Sequence, residues 1–127
     1  MNKHVILIVD DETRVLFVLK NALSRLGDSL KVITADTGQD ALGMMAEERC
    51  DLVITDLIMP DMDGVELTRQ IRAREESPAI VWMTAYGCQS FVAEIEKLGV
   101  YQCVEKPVEI AQIRQVAREA LGQAALG

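Results

Sequence analysis

Two hydrophobic periods alternate along the chain. Short runs rich in branched aliphatic residues lie at 5–9, 32–35, 52–55, 80–83 and around Cys103 and Val104. Polar residues bound each run, and unbroken runs of this length fit strands covered on both faces, as in a parallel sheet. Between them the spacing becomes helical. From Glu12, the apolar positions Val15, Leu16, Leu19, Leu23 and Leu26 recur every three or four residues, and Gly27 supplies a stop. Thr37 is placed to cap a second helix running through Met45, with Ala41, Leu42 and Met45 facing inward. Val65, Leu67, Thr68 and Ile71 mark a third helix, and Phe91, Ile95 and Leu98 a shorter fourth. Ile110, Ile113, Val116, Ala117 and Leu121 mark a fifth.

Five strand–helix pairs in alternation predict an α/β domain whose parallel sheet is covered on both sides. Right-handed crossovers then give an open, doubly wound, flavodoxin-like five-stranded sheet with five helices and strand order 2-1-3-4-5. Its switch point lies between the first and third strands. No Pro/Gly/Ser-rich linker, repeat or low-complexity segment interrupts the pattern. The chain reads as one domain over residues 1–122, with 123–127 as a tail or the start of a truncated linker.

Composition narrows the picture. Half of the 127 residues are apolar but only five are aromatic, so the core must be aliphatic. The apolar runs are far shorter than the ~20 residues that span a bilayer. The start MNKHVILIVDDE has carboxylates where a signal peptide would have its cleavage site. A cytoplasmic protein without membrane contact is the expectation. The net charge of −7 argues against direct nucleic-acid binding, which needs clustered Lys and Arg. Cys50, Cys88 and Cys103 are odd in number and widely spaced, and they read as reduced, mostly buried thiols. His4 is the only histidine, which excludes a histidine relay within the chain.

In an open α/β sheet, ligands bind beyond the carboxyl ends of the strands. The first strand here runs into Asp10 and Asp11, the third ends at Asp56, the fourth at Thr84 and the fifth at Lys106. Four segments thus deliver three carboxylates, a hydroxyl and an amine to one edge. Three carboxylates packed together repel unless a cation neutralises them. An all-oxygen set without Cys or His suits Mg²⁺, and a hard cation beside an ammonium suits a phosphoryl group in flight. Asp can itself take up such a group as an aspartyl-phosphate. The constellation points to Mg²⁺-assisted phosphoryl transfer to a carboxylate. Taken singly, each residue has a plainer use: Asp10 and Asp11 as helix caps, Lys106 as a solvated charge, Thr84 bonded back to its own loop. Their coincidence at successive strand ends outweighs those readings. Asp61 and Asp63, just past Pro60, read as turn and cap residues, and Met59, Met62 and Met83 as core filler.

The segments ILIVDDE, DLVITDLIMPDMDG, WMTAYG and VEKP, in this order, resemble the receiver domains of two-component response regulators, chemotaxis receivers among them. The resemblance covers about residues 3–121 and implies the finer roles. Asp56 would be the phosphoacceptor, and Asp11 a direct Mg²⁺ ligand. Asp10 would act mainly through water, with the backbone carbonyl of Ile58 as a further ligand. Lys106 would pair with the phosphoryl oxygens, and Thr84 would turn inward to bind them after transfer. The donor would be a sensor histidine kinase or a histidine phosphotransfer protein. The chain would catalyse the transfer and the later hydrolysis, with no separate substrate. Effectors would meet the face of the fourth helix, fifth strand and fifth helix, which also allows a homodimer. The peptide before Pro107 is often cis in this family.

One position departs from the pattern. Many receivers carry Phe or Tyr three residues before the lysine, where Cys103 stands here; Tyr101, two residues earlier, is the nearest ring. The expectation is therefore that Thr84 moves on phosphorylation while the segment from Tyr86 to Leu98 carries the surface change. Ile58 and Tyr86, bulky and unable to orient water, predict a long-lived phosphorylated state. Two other classes are possible. A pseudo-receiver interaction module should lack part of the acidic set. A phosphatase of the haloacid-dehalogenase type needs a DxDxT/V first strand, and Asp10-Asp11-Glu12-Thr13 does not fit.

Overall fold

The alternating runs and amphipathic stretches become, in a computed structural model describing residues 4–75 and 77–122, five strands and five helices. In chain order these are β1 (His4–Val9), α1 (Thr13–Ser24), β2 (Leu30–Ala35), α2 (Gly38–Glu47), β3 (Leu52–Asp56) and α3 (Gly64–Arg72). Then come β4 (Ala79–Thr84), a 3-10 turn (Cys88–Phe91), α4 (Val92–Leu98), β5 (Gln102–Glu105) and α5 (Ile110–Leu121). All neighbouring strands run parallel, in the order β2-β1-β3-β4-β5 expected from the sequence. The tail read at 123–127 lies outside the described residues.

Successive side chains on a strand point to opposite faces, so the unbroken runs feed two cores. Leu7, Val53, Ile80 and Trp82 pack on one side with Ala41 of α2 and Leu67 and Ile71 of α3. Ile6, Ile8, Ile54, Val81 and Met83 pack on the other with Leu19 and Leu23 of α1 and Ile113 and Val116 of α5. Each large aliphatic side chain so buried contributes about 1.5–3 kcal/mol. Met59 and Met62 join the first core and Met83 the second, as filler. Among the described residues, no helix is long and apolar enough to cross a membrane.

Local chemistry sets the helix starts. The Thr37 hydroxyl accepts from the Asp40 amide at 3.0 Å, and the Asp63 carboxylate from the Glu66 amide at 2.8 Å. The first helix stops at Ser24, short of Gly27. The Arg25 and Leu26 amides both return to the Leu23 carbonyl, tightening the last turn, and Leu26 still packs against the α1 core.

The cysteines correct one expectation. Cys50 is a buried free thiol, but Cys88 and Cys103 are joined by a disulfide. Strand order brings them together, because β4 pairs with β5 and sets Trp82 opposite Cys103. Gly87, at φ 82°, then turns the chain back over β5, which a residue with a side chain would resist. The two Cα atoms end 5.9 Å apart, within bridging range. Spacing of 15 along the chain carries no trace of this proximity.

Candidate functional site

The strand ends converge at the switch point. Asp10 follows β1 directly, with its amide on the Ala35 carbonyl and its Oδ1 accepting from the Glu12 amide at 2.9 Å. It is fully buried, and Asp56, the last residue of β3, is nearly so. Lys106 follows β5, and its amide donates to the Thr84 carbonyl at 2.8 Å. That bond aims the side chain along the sheet edge, where Nζ donates to Asp10 Oδ2 at 2.8 Å and Asp56 Oδ2 at 3.0 Å. Asp11 is exposed, yet its carboxylate reaches within 4.8 Å of those of Asp10 and Asp56. The Lys106–Pro107 peptide is cis.

Three further positions, Ile58, Tyr86 and Thr84, complete the surroundings. The Ile58 amide donates to Asp56 Oδ1 at 3.4 Å, and its side chain, like that of Tyr86, stands exposed beside the cleft over Asp56. Thr84 is buried at the end of β4, but its hydroxyl accepts from the Tyr86 amide at 3.0 Å. Asp10, Asp11, Asp56 and Lys106 are therefore gathered, whereas the Thr84 hydroxyl is engaged with its own loop. Tyr101 precedes β5 and is 46% exposed, while Cys103 packs against the Trp82 core.

Charge is unevenly balanced here. Burial pushes the Asp10 carboxyl above its usual range, and the Lys106 hydrogen bond offsets this only in part. Burial alone would lower Lys106, but its bonds to Asp10 and Asp56 outweigh that and hold it above the usual lysine value. One ammonium faces three carboxylates. Such an all-oxygen, net-anionic set fits a hard divalent cation.

Sequence reasoning passed over Gly64 as a functional position. A Cβ there would clash with the Asp56 carbonyl oxygen and with Leu57 Cα. The Gly64 amide meanwhile donates to the Leu57 carbonyl at 2.9 Å. The β3–α3 loop thus closes tightly under the acidic residue only because position 64 has no side chain. Its place at the end of DLVITDLIMPDMDG was the available signal.

Residues 6–118 match the family model of the response regulator receiver domain. The chain is 32% identical over 121 residues to sporulation initiation phosphotransferase F of Bacillus subtilis, covering 95% of this chain and 96% of that protein. It is 36% identical to part of the virulence sensor protein BvgS of Bordetella pertussis, where 95% of this chain spans 10% of the relative. Likewise it is 32% identical to part of the regulatory protein AtoC of Escherichia coli, with 91% of this chain spanning 25% of that protein. A receiver domain protein from Clostridium thermocellum superimposes with a TM-score of 0.84 at 27% identity, covering 97% and 98% of the two chains. The chemotaxis protein CheY4 of Vibrio cholerae has the same fold, with a TM-score of 0.87 at 24% identity over 94% and 99%. The chain belongs to the response regulator receiver domains of two-component signal transduction.

Proposed function

We propose that this receiver accepts a phosphoryl group on Asp56 from a histidine kinase or histidine phosphotransfer protein, and that the acyl phosphate switches its surface toward an effector. The observation that carries the reading is Lys106 Nζ bridging Asp10 and Asp56, with Asp11 alongside. A carboxylate oxygen of Asp56 attacks the phosphorus of the donor. The P–N bond breaks, the imidazole nitrogen leaves and takes a proton from water, and an acyl phosphate forms. Lys106 stands where its ammonium can pass from the carboxylate to a phosphoryl oxygen. Asp10, Asp11, Asp56 and the Ile58 carbonyl would hold Mg²⁺. When bound, that ion supplies positive charge against the phosphoryl oxygens and the acids.

Thr84 acts after transfer. Its hydroxyl gives up the Tyr86 amide and turns to a phosphoryl oxygen, and the loop beyond it follows. The face of α4, β5 and α5 then meets the effector. Incubation with acetyl phosphate and Mg²⁺, followed by borohydride trapping, tests the reading. The trapped modification should map to Asp56, and labelling elsewhere or none at all would sink it. A pseudo-receiver without this chemistry would neither label nor bind Mg²⁺.

A further inference from the structure

The Cys88–Cys103 bond falls on the segment through which phosphorylation would act. Cys88 lies four residues after Thr84 and opens the 3-10 turn that leads into α4; Cys103 lies within β5, three residues before Lys106. The Cys88 amide also donates to Glu105 Oε2 at 3.1 Å, so the same corner is tied to β5 twice. The far end of α4 is held separately. The Arg72 guanidinium donates to the carbonyls of Leu98, Gly99 and Pro78 at 2.7, 2.9 and 2.8 Å. Between these two anchors α4 has seven residues and none fully buried. Within the helix Ile95 and Leu98 pack, partly buried, against the core, and its two ends supply the other ties. One of those ends is a covalent bond that chemistry can break.

We infer that Cys88 and Cys103 form a reversible redox clamp: while the disulfide holds, the loop after Thr84 stays on β5 and the phosphorylation response is suppressed. This inference rests on the function proposed above. For Thr84 to reach a phosphoryl oxygen, its hydroxyl must leave the Tyr86 amide and residues 84–88 must shift. The disulfide fixes the far end of that short segment, while leaving Asp56, Asp10 and Lys106 untouched. The clamp thus opposes the response without altering the acceptor. Cys88 and Cys103 are both half-buried residues and not part of the fully enclosed core. A low-molecular-weight disulfide such as oxidised glutathione is the oxidant. The Cys88 thiolate attacks it and releases one small thiol, giving a mixed disulfide. The Cys103 thiolate then attacks the Cys88 sulfur and releases the second. Two protein thiols become one disulfide, one small disulfide becomes two thiols, and the two protons pass to the released thiols. A dithiol reductant runs the exchange backwards. Cys50 takes no part, because it is buried far along the chain from either sulfur and its pKa is pushed up to about 11, mainly by burial.

The test uses the full chain in its oxidised and reduced forms. Peptide mapping without reductant should find Cys88 linked to Cys103 after treatment with oxidised glutathione, and free after dithiothreitol. Emission of the single tryptophan, Trp82, which faces Cys103 across β4 and β5, should rise on reduction in parallel. The reduced form should take phosphoryl from acetyl phosphate at about the rate of the oxidised form, since the acceptor is the same in both. On phosphorylation it should gain amide exchange over residues 86–98, and the oxidised form should not. Cys88→Ser should behave as the reduced protein whatever the oxidant, and Cys50→Ser should remain redox-sensitive. Equal exchange over residues 86–98 in the two phosphorylated redox forms would overturn the clamp, as would failure of the two cysteines to link under oxidised glutathione. Absence of labelling in both forms, with the disulfide and Trp82 readouts still responding, would instead reject phosphorylation at Asp56 while leaving the bond in place. Because both redox forms come from the same wild-type chain, a misfolded variant does not cloud the result.

Discussion

The two halves of the sheet are held in different ways. Around β1 and β3 the chain is packed on both faces, and the acids at the strand ends are fixed by the backbone beneath them. Asp10 and Asp56 are almost wholly buried. Beyond β4 the arrangement loosens. Tyr86 is 68% exposed, α4 contributes no fully buried residue, and the segment is secured by Arg72 at one end and a disulfide at the other. A site that must present one geometry to every donor gains from the first arrangement. A surface that must adopt two states gains from the second, because few buried contacts have to be broken to move it. The proposed acceptor and the surface proposed to respond are thus separated by how they are held, and Thr84 and Lys106 stand on the seam.

The largest effect is expected at the proposed acceptor. Asp56→Asn should abolish acyl-phosphate trapping outright while leaving the fold intact, and any remaining label would move the acceptor elsewhere. Lys106→Met should lower the transfer rate by about 10²-fold, the usual cost of losing one charge-stabilising donor at a reacting group. Its dichroism spectrum should remain that of a folded protein. A rate within a few-fold of wild type would show that Lys106 is structural only. On the looser side, reducing the disulfide should lower stability by about 3 kcal/mol, the entropy of closing a loop of roughly 15 residues. Denaturant unfolding of the two redox forms measures it, and an unchanged midpoint would mean that the bond does not constrain the unfolded chain. Gly64→Ala should cost about 1–3 kcal/mol, because the added methyl group meets backbone and not a flexible side chain. Wild-type stability in that variant would mean that the loop under Asp56 relaxes freely.

Legibility in the sequence followed the same division. The unbroken runs ending at Asp10, Asp56 and Thr84 carried both strand order and site, since parallel pairing brings the carboxyl ends of strands to one edge whatever the details. Lys106 was placed by the same logic. Beyond β4 the pattern thinned out. β5 is four residues long and half exposed, so its hydrophobic signal is faint, and nothing in residues 84–88 announces that Gly87 turns the chain back. The Cys88–Cys103 pairing depends on that turn, and the reading of reduced thiols went wrong there. Tyr101 tells a similar story. It is close to Cys103 in sequence, but it sits ahead of β5 and is about half exposed. Gly64 was visible only as the end of a motif, because a requirement for no side chain leaves no periodic mark.

The smallest expected effect lies at Asp10, on the rigid side. Burial holds the Asp10 carboxyl above its ordinary pKa, so the folded protein binds a proton there more tightly than the unfolded chain does. The stability linked to this group is fully present below the unfolded value of 3.8 and is lost as pH rises through the higher folded value. At neutral pH without a divalent cation, ionised Asp10 is therefore a net cost to folding. Asp10→Asn keeps an acceptor for Lys106 and removes that cost. The metal-free variant should be more stable than wild type at pH 7, with the advantage shrinking as pH falls toward 4. Adding Mg²⁺ should narrow the gap again by stabilising wild type more than the variant, since only the former keeps all three carboxylates. Urea unfolding at several pH values, with and without Mg²⁺, gives all of these comparisons. A variant less stable than wild type at pH 7 without metal would show that the Lys106 bond outweighs burial at Asp10, and the acidic end would then be a relaxed structure and not one held ready for a cation.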